Sequence, residues 1–291
     1  MQHNTGWLNG YDDTELFYQS WQQFEGRPIV IAIVHGAGEH SGRYSHLIDY
    51  FVPRNYSVYG FDFRGHGKSQ GKRGHVLDWR DYREDLDCYL QRVIEENPDS
   101  EIFLYGHSMG GQISLDYLTQ DEDSKNHPNH NRLCGAILSS PALALPPTNS
   151  VLLAVGRFLS KVWPSFPMDN GLDVKDISRE LKEVKAYSED PLVSSKITAR
   201  FGTGFIDSID RVQNRAGRIG LPILMFHGEA DNIVPVSGTR DYFSTVTFED
   251  KTLQTYGGGF HECHNDLQKQ EVFEEVERWL EQHSNLASAS E

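Results

Sequence analysis

Short apolar runs rich in β-branched and aromatic residues recur along the chain and alternate with segments of helical period. Pro28 to Val34 reads as a buried strand. Tyr56 to Phe63, Glu101 to Tyr105, Leu133 to Leu138, Leu221 to Phe226 and Lys251 to Tyr256 read the same way. Glu15 to Trp21 alternates like a half-buried edge strand. Tyr82, Leu86, Tyr89, Leu90, Val93 and Ile94 fall at i, i+4, i+7, i+8, i+11 and i+12, one apolar face of a helix that ends before Pro98. Val272, Phe273, Val276, Trp279 and Leu280 repeat that spacing near the C-terminus. Strands alternating with helices predict an α/β fold, with a mostly parallel central sheet covered by helices on both faces. In such sheets functional residues collect at the carboxyl ends of the strands.

One stretch breaks the alternation. From about 141 to 220 there is no clear core strand, six prolines punctuate the chain, and Val151 to Trp163 is a compact apolar helix candidate. So long a stretch exceeds an ordinary loop. It predicts a helical cap, 141–220, inserted into a core made of 1–140 and 221–291. The apolar cap helix suits either packing onto the core or a lid that borders a binding tunnel and touches lipid surfaces. The tail from Ser284 to Glu291 is small and polar and reads as loose.

Composition narrows the field. The chain has 291 residues, 38% hydrophobic and 24% charged, which is globular composition. A net charge of -15 argues against nucleic acid as a partner and against anionic lipid headgroups, so any lipid contact must be mainly apolar. Cys88, Cys134 and Cys263 form neither a disulfide framework nor a metal-ligand spacing, and no metal is expected. Cys263, two residues from a candidate catalytic histidine, is a candidate oxidation-sensitive position. The first ten residues lack a basic run followed by an apolar stretch, so no signal peptide is read. The expectation is a cytoplasmic protein, at most peripheral at membranes.

The strongest chemical signal is Gly106-His107-Ser108-Met109-Gly110, directly after the strand EIFLY and before a helix. A serine hydroxyl is a poor nucleophile unless it is exposed, held and next to a base. A sharp strand-to-helix turn exposes it, provided the flanking glycines lack side chains. The expectation is an α/β-hydrolase fold with Ser108 as nucleophile. A triad then needs an acid after a later strand and a histidine near the end. Asp231 follows the strand Leu221 to Phe226, with Glu229 as a competing acid. His261 follows the last strand behind Gly257-Gly258-Gly259, with His264 as its rival. Two backbone N–H groups must meet the oxyanion, and placement assigns them to Ala37 and Met109. In Asp62-Phe63-Arg64-Gly65-His66-Gly67, the glycines suit tight turns, and Asp62 and Arg64 could pair.

The run His35-Gly36-Ala37-Gly38-Glu39-His40-Ser41-Gly42-Arg43-Tyr44 is far more specific than the serine motif. With Asp62…Arg64-Gly65-His66-Gly67, Gly106-His107-Ser108-Met109-Gly110-Gly111 and Tyr187-Ser188-Glu189-Asp190-Pro191-Leu192, it resembles the monoacylglycerol lipase family, over about residues 5 to 282. The resemblance implies cleavage of monoacylglycerols, or similar neutral lipid esters, to glycerol and fatty acid without a cofactor. The family's triad matches Ser108, Asp231 and His261, and its oxyanion donors match Ala37 and Met109. Its glycerol-end polar residues match Glu39, Arg43, Tyr187 and His264. An ion pair of Glu39 with Arg43 that holds the loop is compatible with that role. Transient contact with a membrane or micelle would run through the cap.

Two other readings keep the same residues. One is a lysophospholipase or short-chain esterase with the same triad. The other is a non-catalytic scaffold on the same fold, which a complete triad disfavours. An epoxide hydrolase or dehalogenase would carry Asp where this chain has Ser108.

Overall fold

The computed structural model describes residues 1–23, 28–120, 128–147 and 149–284. Strand β3 (Ile29–Val34) shows why a sheet forms. All six residues are buried, with Val30, Ala32 and Val34 on one face and Ile29, Ile31 and Ile33 on the other. Strands β5 (Glu101–His107) and β9 (Ile223–Gly228) divide in the same way. A strand apolar on both faces must be covered on both faces.

With β1 (Gln2–Asn9), β2 (Glu15–Gln22), β4 (Ser57–Phe61), β6 (Leu133–Ser139) and β10 (Lys251–Tyr256), these make an eight-stranded sheet of order β1-β2-β4-β3-β5-β6-β9-β10. All pairings from β4 to β10 are parallel, while β1 and β2 add antiparallel. Helix α1 (Ser45–Phe51) and helix α8 (Lys269–His283) cover one face. Helices α2 (Arg80–Glu96) and α3 (Met109–Leu118) cover the other. The stripes predicted on α2 and α8 are their buried residues.

Two expectations fail here. Glu15 to Trp21 is not an edge strand, because β1 pairs along its whole length, from Gln2 against Gln22 to Asn9 against Glu15. The residues of β1 are mostly polar and exposed, so no apolar alternation announces it. Asp62 and Arg64 do not pair. The Asp62 carboxylate accepts from the backbone N–H groups of Ser41 and Lys68 and from the Ser41 hydroxyl. Arg64 turns the other way and binds Asp85 with its Nε at 2.6 Å. The turn itself needs its glycines: Gly67 has φ +48°, and a Cβ there would meet Asp62 Oδ2 at 2.1 Å.

Between β6 and β9 no strand among the described residues joins the main sheet. Residues 141–220 hold α4 (Ser150–Val162), α5 (Leu181–Glu189), α6 (Ala199–Gln213) and a ribbon of β7 (Pro167–Asp169) and β8 (Lys196–Thr198). The cap is mainly helical, and its short two-stranded ribbon lies apart from the main sheet. Each ribbon strand is three residues long, too short for a period to show. Helix α7 (Val236–Thr245) then follows β9. Of the tail expected to be loose, only Ser284 lies within the described residues.

Helix α4 does not pack its apolar residues onto the core. Val151, Leu152, Val155, Phe158, Val162 and Trp163 are exposed, while Gly156 and Ser160 are its buried positions. It meets α6 through this small face, where the Ser160 and Thr203 hydroxyls lie 2.8 Å apart.

Helix α6 is fastened to α3 by a buried carboxylate. Asp116 accepts from Arg211 at 2.7 and 3.0 Å, with Arg83 at 3.5 Å. Removing one partner of such a group strands the other charge. Asp116→Ala should therefore destabilise the fold by about 3–5 kcal/mol, measured by urea denaturation. A loss under about 1 kcal/mol would mean the site behaves as a surface pair.

Candidate active site

Strand β5 ends in a reversal so sharp that Ser108 adopts φ +53° and ψ -119°, a left-handed conformation that a side chain normally avoids. The backbone stays there because neighbours hold it: Ser108 N–H donates to Ser139 O at 2.9 Å, and Ser108 O accepts from Gln112 and Ala142. Close approach explains the glycines. A Cβ on Gly110 would meet Val34 O at 2.1 Å, and one on Gly106 would meet Gly111 Cα at 2.7 Å. Ser108 stands at the N-cap of α3, yet its side chain makes no cap bond, which leaves the hydroxyl for other chemistry.

That hydroxyl lies 2.9 Å from His261 Nε2, and His261 Nδ1 lies 2.6 Å from Asp231 Oδ2. A carboxylate only accepts, so Nδ1 carries the proton and Nε2 accepts from the serine. Asp231 Oδ1 is held by the N–H groups of Ile233 and Val234 at 2.8 and 2.9 Å. Oδ2 also accepts from His227 Nε2 at 3.0 Å. Burial pushes the Asp231 carboxyl up, but the charge of His261 and the bonds from His227 and His261 outweigh it and hold the group below the carboxylate range. Burial opposes charge on His261, yet the Asp231 carboxylate wins and raises its pKa.

The alternatives stand elsewhere. Glu229 is exposed and pairs with Arg240 at 2.6 Å. His264 is buried, stacks on Tyr44 with ring centroids 5.1 Å apart, and is pushed down to about 4 by burial. Its Nδ1 is 3.4 Å from the Ser139 hydroxyl.

The loop that follows β3 is fixed by polar bonds. His35 accepts from Phe63 N–H through Nε2, so its Nδ1 donates to Gly36 O at 2.7 Å. Gly36 N–H donates to Glu39 Oε1 at 2.6 Å, and Gly38 takes φ +76° where a Cβ would meet Ser194 O at 2.4 Å. Ala37 then lines the same cavity as Ser108. Met109 opens α3, where N–H groups lack intrahelical acceptors.

Glu39 and Tyr187 also line the cavity, with Arg43 and His264 in a buried layer behind them. Arg43 donates to Glu39 Oε2 at 2.9 Å and, bidentately, to Glu262 at 2.6 and 2.9 Å. Its guanidinium lies 4.4 Å from the Tyr187 ring centroid. Burial works against the charges, yet each partner stabilises the other, so Glu262 is held low and Arg43 high. Sequence reasoning misses Glu262 and His227. Their adjacency to His261 and to the Asp231 turn was the available signal. Cys263 is buried, its Sγ donates to Phe260 O, and burial pushes the thiol up to about 12, which disfavours the thiolate.

The cavity measures about 530 Å³. Ser108 and His261 lie at its polar end, and Leu153, Met168, Ile197, Phe201, Phe205 and Ile206 make apolar walls. A nucleophile elbow at the carboxyl end of a parallel sheet, opening into an apolar cavity, defines a serine hydrolase of the α/β-hydrolase fold. A family model described as Hydrolase_4, serine aminopeptidase S33, matches residues 27–268. The chain is 32% identical over 276 residues to a monoacylglycerol lipase of Mycolicibacterium smegmatis, covering 94% of this chain and 95% of that one. It is 30% identical over 284 residues to the monoglyceride lipase of Homo sapiens, covering 96% and 91%. The crystal structure of Paleococcus ferrophilus monoacylglycerol lipase superposes with a TM-score of 0.78 at 34% identity, covering 98% of this chain and all of that one. The chain belongs to the monoacylglycerol lipase family of serine hydrolases.

His261 must be neutral to accept a proton, and its pKa is raised. Reactivity should therefore fall as pH drops through a midpoint above the ordinary imidazole value of about 6.5. The pH dependence of fluorophosphonate labelling reads this directly. A midpoint at or below the ordinary value contradicts the electrostatics described.

Proposed function

We propose that the protein hydrolyses monoacylglycerols to glycerol and fatty acid, with Ser108, His261 and Asp231 as its triad. The observation that carries this is the hydrogen-bonded line Ser108–His261–Asp231 at the floor of an apolar cavity. Relatives at about a third identity over nearly the whole chain are named for that substrate. The ester carbonyl sits over Ser108 with its acyl chain along the apolar wall and its glycerol toward Glu39 and Tyr187.

His261 Nε2 takes the Ser108 proton as Oγ attacks the carbonyl carbon. The resulting oxyanion is met by the N–H groups of Ala37 and Met109. Collapse breaks the ester C–O bond, and glycerol leaves with the proton from His261. Water then gives a proton to His261, attacks the acyl-enzyme, and releases the fatty acid as Ser108 recovers its proton. Asp231 stays ionised throughout and stabilises the imidazolium. In this reading Arg43 and His264 act from behind the cavity wall, because Arg43 spends its N–H groups on Glu39 and Glu262.

Substrate of this kind partitions into lipid surfaces, and α4 offers a way to meet them. Phe158 and Trp163 are 62% and 56% exposed, on a helix whose Leu152 and Leu153 also line the cavity. The apolar face would lie in the interface while the cavity opens beside it. Among the described residues no helix is long and apolar enough to cross a membrane.

Ser108→Ala should abolish fatty-acid release from a medium-chain monoacylglycerol and fluorophosphonate labelling, with an unchanged thermal melt. Asp231→Asn should lower turnover by roughly 10⁴-fold through the wrong imidazole tautomer. A Ser108→Ala enzyme within tenfold of wild type removes the nucleophile. Wild type that labels but leaves monoacylglycerols intact removes the substrate.

The paired change Phe158→Ser and Trp163→Ser should slow hydrolysis of monoacylglycerol in phosphatidylcholine vesicles at least severalfold. It should leave a water-soluble short-chain ester within about twofold. Equal effects on both substrates would assign α4 to the cavity alone.

A further inference from the structure

Buried His227, at the end of β9, makes contacts that the triad does not explain. Its Nε2 faces two acceptors, Asp231 Oδ2 at 3.0 Å and Val234 O at 3.0 Å. Two acceptors require that Nε2 carry the proton. Its Nδ1 lies 2.8 Å from Thr239 Oγ1. The ring is locked between α7 and the acid turn, and it presents an N–H donor to the same carboxylate oxygen that His261 uses.

Resting on the triad reading, we infer that His227 is a positioning residue for this enzyme, a second histidine on Asp231 that sets how strongly the carboxylate holds His261. The two N–H donors compete for one oxygen. Each bond to Oδ2 spreads its charge and weakens the other. His227 thereby limits how far Asp231 raises the basicity of His261, so that the base remains neutral near neutral pH. It also restrains Oδ2 on the side that the Ile233 and Val234 N–H groups, both on Oδ1, leave free. Four donors thus fix both oxygens of the acid.

Other groups face these residues and must stay constant in a test. The His107 ring centroid is 4.9 Å from that of His261, and burial keeps His107 well below the ordinary imidazole range. Glu39 and Glu262 act on His261 by charge, and the Asp231 carboxylate acts on the Cys263 thiol by charge.

The test compares two amides. In His227→Gln the side-chain N–H reaches the place of Nε2 and still donates to Asp231. In His227→Asn the shorter amide reaches only the Thr239 side and withdraws the donor from Oδ2. Both variants are polar and close in volume, so a merely structural histidine predicts the same outcome for each. The readout is the pH dependence of fluorophosphonate labelling, which reports Ser108 reactivity whatever the natural ester is. His227→Asn should move the acid-limb midpoint up by roughly half to one pH unit. It should also lower the plateau rate by roughly tenfold. His227→Gln should keep both near wild type. Identical profiles for the two variants overturn the inference, while an unlabelled wild type overturns the triad reading instead. A second measurement needs no variant: imidazole ¹⁵N resonances of the wild type should show His227 protonated at Nε2. Protonation at Nδ1 would overturn the shared-acceptor arrangement.

Discussion

Everything in the site hangs on one backbone torsion. Ser108 sits at φ +53°, a conformation that costs on the order of 1–3 kcal/mol for a residue with a side chain. Relaxation would swing the hydroxyl away from His261. The neighbours prevent it: Ser139 O accepts from Ser108 N–H, Ala142 donates to Ser108 O, and Gly110 brings α3 against the carbonyls of Val34 and His35. A central parallel sheet suits this task, because the ends of β3, β5 and β6 are fixed by their pairing before any loop is placed. The strain is local, and the sheet around it is the reason it persists.

The insertion is attached unevenly, and the asymmetry has a use. Its 176–180 stretch is sewn to the histidine loop: His261 and Glu262 donate backbone N–H groups to Asp176 O and Ile177 O, and Arg179 pairs with the buried Asp266. Its 190–194 stretch is sewn to the loop after β3 through Ser194 N–H on Gly38 O and the 2.9 Å pair of His40 with Asp190. Helix α6 is bound to α3 at Asp116. Helix α4, in contrast, rests on α6 through Gly156 and Ser160. The parts of the insertion that touch the reacting groups are therefore rigidly tied to them, while the apolar helix is carried at the outside.

How legible this was in the sequence depends on the range of the interaction concerned. The core strands, α2 and α8 follow from periodicity, since burial on a sheet face or helix stripe imposes it directly. The positions 108, 231 and 261 follow from their order after β5, β9 and β10, because the carboxyl ends of parallel strands lie side by side. What stays hidden is set by long-range pairing. Strand β1 exists because β2 offers an unpaired edge, not because QHNTGWLN favours extension. The nearest carboxylate to Arg64 is Asp85, 21 residues away on a helix, which no local pattern reveals. Helix α4 suited either packing onto the core or a lid, because hydrophobic composition does not say which side faces solvent; the structure turns most of its apolar residues outward.

The same limit applies to Arg43. Its sequence position suits a ligand contact, but its three closest acceptors are the protein's own carboxylate oxygens. An ion triplet this buried contributes little net stability, since desolvating three charges offsets most of their attraction. What it does contribute is geometry. Glu39 also holds Gly36 N–H, Glu262 follows His261 in the chain, and Tyr187 lies under the guanidinium from α5. One side chain thus fixes the distance between the loop carrying Ala37 and the loop carrying the base. The bond between a hydroxyl on one loop and an imidazole on another depends on that fixed spacing more than on any gain in folding free energy.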